Sequence, residues 1–94
     1  MLYMVVETFR DRDVVYRRFG EKGRMLPKGL EYISSWIDRD VTRCFQLMET
    51  EVPDRLNEWT SKWDDIADFE IVPVITSDQA REVLSDQRGD NEIN

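Results

Sequence analysis

The stretch LEYISSWIDRDVTRCFQLMET, residues 30–50, decides how this chain folds. Two runs rich in β-branched and aromatic residues, Leu30–Arg39 and Thr42–Thr50, flank a polar turn at Asp38–Asp40, which is the pattern of a β-hairpin. Both strands carry apolar side chains on both alternations. Side chains alternate across a strand, so both faces of this hairpin need burying. A small open sheet with two apolar faces points to a pair of chains and an enclosed cavity between them.

The flanking segments supply the rest of a sheet. Leu2–Phe9 reads as a first strand, rich in valine and aromatics. Asp11 or Asp13 can cap a helix running to about Lys22, with Val14, Val15, Arg18 and Phe19 on its apolar stripe, and Gly23 is expected to end it in the left-handed conformation. Residues 24–29 form a loop bracketed by proline and glycine. After the hairpin, Pro53 opens a second helix in which Leu56, Trp59 and Trp63 recur at i, i+3 and i+7, and Asp64-Asp65 is expected to end it. Phe69–Ile75 is a fourth strand, placed at an edge because Pro73 cannot donate to a ladder. Thr76 and Gln79 are spaced as a capping box before a short third helix carrying Ala80, Val83 and Leu84. Residues 1–84 therefore form one domain, and 85–94 are expected to be a polar, flexible tail. The order β-α-β-β-α-β with a terminal helix gives an α+β, ferredoxin-like fold: a four-stranded antiparallel sheet in the order 4-1-3-2, with both main helices on one face.

Composition narrows the function. With 94 residues, 40% apolar and 35% charged, the chain is that of one globular domain. No apolar run reaches the roughly 18–20 residues of a membrane span. A single cysteine leaves no intrachain disulfide and suits the cytoplasm. A formal charge of −7 argues against nucleic acid or an anionic membrane as partner. RNA recognition on the sheet would need basic surroundings and exposed central aromatics, which Arg43-Cys44-Phe45-Gln46 does not supply. Histidine is absent, so catalysis would have to use carboxylates, Tyr, Cys, Arg or Lys.

Strand parity sorts the side chains into two sets. Leu2, Met4, Val6, Ile33, Ser35, Ile37, Phe45, Leu47, Phe69, Ile71 and Ile75 are almost purely apolar and are expected under the helices. Tyr3, Val5, Glu7, Tyr32, Ser34, Trp36, Cys44, Gln46, Met48, Glu70, Val72 and Val74 are mixed and are expected to face a partner chain or a cavity. Pairing the strands in one parity gives three expected rows: Glu70–Glu7–Cys44–Trp36, then Val72–Val5–Gln46–Ser34, then Val74–Tyr3–Met48–Tyr32.

This layout resembles the dimeric α/β-barrel superfamily, in which two ferredoxin-like units pack sheet to sheet around a cavity. Within it, Gly23-Arg24-Met25-Leu26-Pro27, Ser35-Trp36, Cys44-Phe45-Gln46-Leu47-Met48-Glu49 and Phe69-Glu70-Ile71-Val72-Pro73-Val74 resemble a family of short, uncharacterised bacterial proteins, over roughly residues 1–80. The resemblance implies cofactor-light chemistry on small organic molecules, as in isomerases and small monooxygenases. It also takes in chlorite- or haem-handling enzymes and proteins with no known reaction. The haem branch relies on a histidine ligand, which this chain lacks.

Candidate site residues follow from these rows. Glu7 and Glu70 are candidate catalytic carboxylates: on strands about 4.8 Å apart they would share a proton, raising one pKa towards neutrality. The alternative is that they are solvated at the sheet edge or paired with Arg24 or Arg43. Tyr3, Tyr32 and Trp36 are candidates to stack on a planar ligand or to anchor an interface. Ser34 lies in the same expected set. Gln46, an amide on a central strand, either bonds across the dimer or orients a ligand. Arg24 can hold a carboxylate bidentately or form a surface ion pair. Cys44 reads as a small core hydrophobe, and Trp59 and Trp63 as core. No metal site and no cofactor are expected. The function expected is that of a homodimer, joined through the sheet face not covered by helices. It would hold a small organic ligand between the paired sheets for cofactor-independent proton-transfer or oxygenase-type chemistry; the alternative is a non-catalytic binding or structural dimer.

Overall fold

The computed structural model describes residues 1–87. Its elements are β1 (Leu2–Phe9), α1 (Arg12–Lys22), β2 (Leu30–Ile37), β3 (Arg43–Thr50), α2 (Asp54–Thr60), β4 (Ala67–Val74) and α3 (Ser77–Gln87). The four strands form one antiparallel sheet in the order β2-β3-β1-β4, which counted from the β4 edge is 4-1-3-2. No helix among the described residues is long and apolar enough to cross a membrane.

Local chemistry sets most boundaries. Asp11 caps α1, its carboxylate accepting the Val14 N–H at 3.2 Å. Gly23 closes that helix by donating to the Phe19 carbonyl at 2.8 Å. Its φ of 67° combined with a ψ of −158° is a conformation open essentially to glycine alone, and it is not the expected left-handed helical cap. The hairpin turn spans residues 38–42, longer than the expected Asp38–Asp40. Asp38 organises it by accepting the Thr42 and Arg43 N–H groups, both at 2.7 Å, and the Thr42 hydroxyl. The Thr42 hydroxyl bond, followed by the Arg43 N–H bond, holds the Asp38 carboxyl below its usual range. This brace supports Val41 at φ 58°, a conformation that is rare for a β-branched residue.

Three elements end elsewhere than the sequence suggests. α2 stops at Thr60, not at Asp64-Asp65. Past that point successive i→i+3 bonds, from Lys62 to Trp59 and from Trp63 to Thr60, tighten the chain into turns. A bidentate Arg18–Asp65 pair at 2.9 and 2.8 Å then ties these turns to α1. β4 begins two residues earlier than expected, at Ala67. The expected capping box forms reciprocally, Thr76 N–H to Gln79 at 2.9 Å and Gln79 N–H to Thr76 at 3.0 Å, and α3 runs on to Gln87. The helix thus takes residues 85–87 from the expected tail, and 88–94 lie outside the described residues.

The largest correction concerns the faces of β1 and β3. Tyr3, Val5, Glu7, Cys44, Gln46 and Met48 are buried. Tyr3, Val5 and Met48 pack in one core with Val15 of α1, and with Leu56 and Trp59 of α2. The mixed set on these two strands lies under the helices, and Leu2, Met4, Val6, Phe45 and Leu47 line the open face. β4 keeps the expected assignment, with Phe69 and Ile71 packed against the core. Both alternations of β1 and β3 are apolar enough to bury. The choice falls to the face where Arg24 gives Gln46 a hydrogen bond and Glu7 a nearby cation, with the Trp59 and Trp63 indoles holding the Arg24 carbonyl.

Candidate functional site

The expected β1–β3 register is observed: Glu7 opposite Cys44, Val5 opposite Gln46 and Tyr3 opposite Met48. The outer columns differ, except that Tyr32 lies opposite Met48 as expected. β4 is displaced by one residue, so Glu7 faces Phe69, and Glu70 faces Val6. Glu7 and Glu70 therefore lie on opposite faces, Glu70 is exposed, and the proposed shared-proton pair does not exist. In β2 an irregularity between Tyr32 and Ser34 advances the pairing, setting Ser35 opposite Gln46, Trp36 opposite Phe45 and Ile37 opposite Cys44. A bulge re-aims every side chain beyond it. Ser35 consequently occupies the place expected for Ser34, and Ser34 and Trp36 fall on the open face.

The inner face forms the floor of a cleft of about 220 Å³ between the sheet and the helices. Glu7, Arg24, Ser35 and Gln46 supply its polar lining. Phe9, Tyr16, Phe19, Trp59, Trp63 and Phe69 supply aromatic walls. Of the residues expected at a site, Glu7, Arg24 and Gln46 come together here, and Tyr32 borders them. Tyr3 is buried in the adjoining core. The cleft lies within one chain, not between paired sheets.

One hydrogen-bonded chain crosses it. The Gln46 amide donates to Glu7 Oε1 at 3.2 Å. The amide oxygen of Gln46 accepts from Arg24 Nε at 3.3 Å, and Arg24 Nη2 reaches Ser35 Oγ at 3.5 Å. Ser35 and the Tyr32 hydroxyl share a 2.7 Å bond. The Arg24 guanidinium stacks 3.6 Å from the centre of the Tyr32 ring and 5.2 Å from that of Phe19.

The electrostatics follow from burial. Glu7 is only 7% exposed, and desolvation pushes its carboxyl up to about 7, against the opposing charge of Arg24 and the Gln46 bond. Burial, reinforced by the neighbouring Glu7, raises the Cys44 thiol to about 12, so it stays protonated and inert at neutral pH. The Tyr16 hydroxyl is also raised, first by burial and then by Cys44 and Glu7. A carboxyl that exchanges its proton near neutrality, beside a fixed cation and a hydroxyl, can act as a general base or acid.

Sequence reasoning missed Ser35, Tyr16 and Phe19 as lining, and treated Trp59 and Trp63 as core alone. Both indole N–H groups in fact donate to the Arg24 carbonyl oxygen, at 2.9 and 3.2 Å. Their spacing of four residues within the expected helix was the available signal. A family model described as "Domain of unknown function (DUF3303)" matches residues 1–88. No curated protein and no solved structure matches the chain.

Proposed function

This chain belongs to the DUF3303 family, and we propose that it is a homodimer that binds a small organic molecule between sheet and helices and moves a proton there without a cofactor. Glu7 is the observation that carries this reading: a buried carboxyl in an aromatic cleft, with a pKa of about 7. In the proposed step Glu7 takes a proton from the carbon next to a carbonyl group. The C–H bond breaks, an O–H bond forms on Glu7, and the electron pair moves to the carbonyl oxygen as an enolate. Arg24 and Ser35 lie on the same cleft to receive that charge. The test is deuterium exchange of small enolisable ketones and 2-oxo acids in D₂O, followed by proton NMR. The wild-type chain is expected to accelerate exchange, and Glu7→Gln to lose about 10²–10⁴-fold of that acceleration. Exchange at the uncatalysed rate across the panel overturns the reading.

The open face of the sheet supports the dimer. Trp36 is 56% exposed and Ile33 48%, beside Val72, Met4, Val6, Phe45 and Leu47. Val83 and Leu84 of α3 are also uncovered in the single chain. Such a contiguous apolar surface is costly in water. The strand order, with α1 and α2 packed in one core, supports a ferredoxin-like unit. Pairing two such sheets makes a dimeric α/β barrel. Wild type is expected to sediment at close to twice 11.2 kDa, and Leu47→Glu, which brings two carboxylates into the paired faces, at the mass of one chain. A wild-type monomer at tens of micromolar, on the order of ordinary working concentrations, refutes the pairing.

One observation favours a second reading, a non-catalytic dimer. No buried side-chain nitrogen or oxygen among the described residues lacks a partner. A closed chain from Tyr32 to Glu7 can serve only to specify packing, and in that case no ketone exchanges.

A further inference from the structure

We infer that the ligand of this cleft is a planar organic monoanion whose carboxylate, or equivalent pair of oxygens, is gripped by Arg24. The inference deepens the proposed small-molecule reading of the same cleft and rests on it.

The first ground is the state of Arg24. Ion pairs among the described residues engage Arg10, Arg12, Arg18, Arg55 and Arg81, all near the surface. Arg24 takes part in none of these, although it is half-buried and lines the cleft. It reaches the Glu7 carboxylate only through Gln46, which stands between them. A guanidinium has five N–H donors in a planar fork that matches a carboxylate. The Nε and one Nη2 hydrogen are directed at Gln46 and Ser35, the latter at the 3.5 Å limit of a hydrogen bond. The remaining donors have aromatic faces beside them and no acid.

The second ground is how firmly the backbone of Arg24 is held. Its neighbours Gly23 and Met25 both have positive φ, 67° and 60°. For methionine that conformation costs energy, and it persists only where the surroundings enforce it. Here they do. The carbonyl of Arg24 accepts both tryptophan indoles, and that of Met25 accepts Lys62 Nζ at 3.0 Å. The strained loop is thereby pinned at three points from α2 and the turn after it. An arginine pinned at its main chain and stacked at its head is preorganised for an anion.

The third ground is the walls. The flat rings of Phe9, Tyr16, Phe19 and Phe69 suit a planar body, and about 220 Å³ holds on the order of seven waters or one small ring compound. Charge selects the ionic form. Glu7 and Arg24 are the charged groups in the lining; Cys44 from β3 and Tyr16 from α1, which also face Glu7, are neutral at pH 7, and Trp59, Trp63 and Phe69 bring no charge from α2, its following turn and β4. Protonation of Glu7 leaves the cleft with one positive charge, on Arg24.

Matched probes test this: benzoate against benzamide, and 2-oxobutanoate against butanone, titrated into the intact protein while the indole N–H signals of Trp59 and Trp63 are followed by NMR. Each acid is expected to bind at least tenfold more tightly than its neutral partner and to shift both indole signals. Lowering the pH from 8 to 6 is expected to tighten benzoate about tenfold, as the protonated fraction of Glu7 rises, and Glu7→Gln removes that pH dependence. Arg24→Met is expected to erase the preference for the acid. Its backbone still accepts both indoles, so unchanged indole signals in the free variant report an intact loop. Equal binding of acid and neutral partner overturns the anion assignment while leaving the small-molecule site standing. Binding of neither member of either pair overturns both the assignment and the site.

Discussion

Glu7→Gln is expected to stabilise the folded chain by about 3 kcal/mol at pH 8 and by less than about 1 kcal/mol at pH 5. Burial raises the Glu7 carboxyl from 4.5 to about 7 in the folded state. Between those values the folded state holds a proton that the unfolded chain has released. Its stability therefore falls as the pH rises through this window, and the loss is complete above about pH 7. Glutamine copies the protonated carboxyl and never ionises, so the variant keeps what the wild type loses. Urea unfolding of both proteins at pH 5 and 8, at one chain concentration, measures the difference. The exposed carboxyls of Asp38 and Asp65 are shifted the other way, the first mainly by the Thr42 hydroxyl and the second mainly by Arg18. Their contribution disappears only as the pH falls below the ordinary carboxylate range, so it leaves the Glu7 window clear. Parallel pH dependence in wild type and variant would show that the carboxyl is hydrated, and would remove the basis for its role as a base.

Trp59→Ala is expected to cost about 3–5 kcal/mol, a large share of a small domain's stability. Trp59 is 2% exposed, packs against Phe69 with ring centres 6.3 Å apart, and donates to the Arg24 carbonyl. Alanine leaves a cavity beside the cleft and removes one of the three bonds that pin the strained loop. Trp59→Phe separates these effects. The ring remains, one donor is lost while Trp63 keeps the carbonyl partnered, and the cost falls to about 1 kcal/mol. Urea unfolding again supplies the measurement. A cost below about 1 kcal/mol for the alanine variant would mean that Trp59 is not the wall of a packed cleft.

Much of this site is legible in the sequence. Glu7, Arg24 and Gln46 stand out as polar residues in segments whose neighbours are apolar, and pairing β1 with β3 in one parity gives the register observed. The dyad with Glu70 failed because one residue of slip in β4 exchanges Glu70 for Phe69 opposite Glu7. Nothing in the run from Phe69 to Val74 separates the two registers, since isoleucine and valine fill both alternations. Ser34 gave way to Ser35 for a comparable reason. Adjacent serines offer no polarity difference to announce a bulge, so only the paired strand reveals it.

By itself the sequence determined the order of elements, the Thr76–Gln79 cap, the edge position of the proline-bearing strand and the surplus of apolar side chains on the sheet, and narrowed the cap of α1 to Asp11 or Asp13. These are local matters of capping, turn chemistry and alternation, written within a few residues of where they act. The tertiary structure decided which face of β1 and β3 the helices cover. Both faces are apolar enough to be buried, and the balance is tipped by groups far away in the chain. Arg24 comes from the loop after α1, and Trp59 and Trp63 come from α2 and the turn that follows it. Arg24 supplies the hydrogen bond to Gln46 and the cation near Glu7 that make their burial tolerable, and the two indoles hold the Arg24 main chain in place. Alternation within a strand carries no record of those partners.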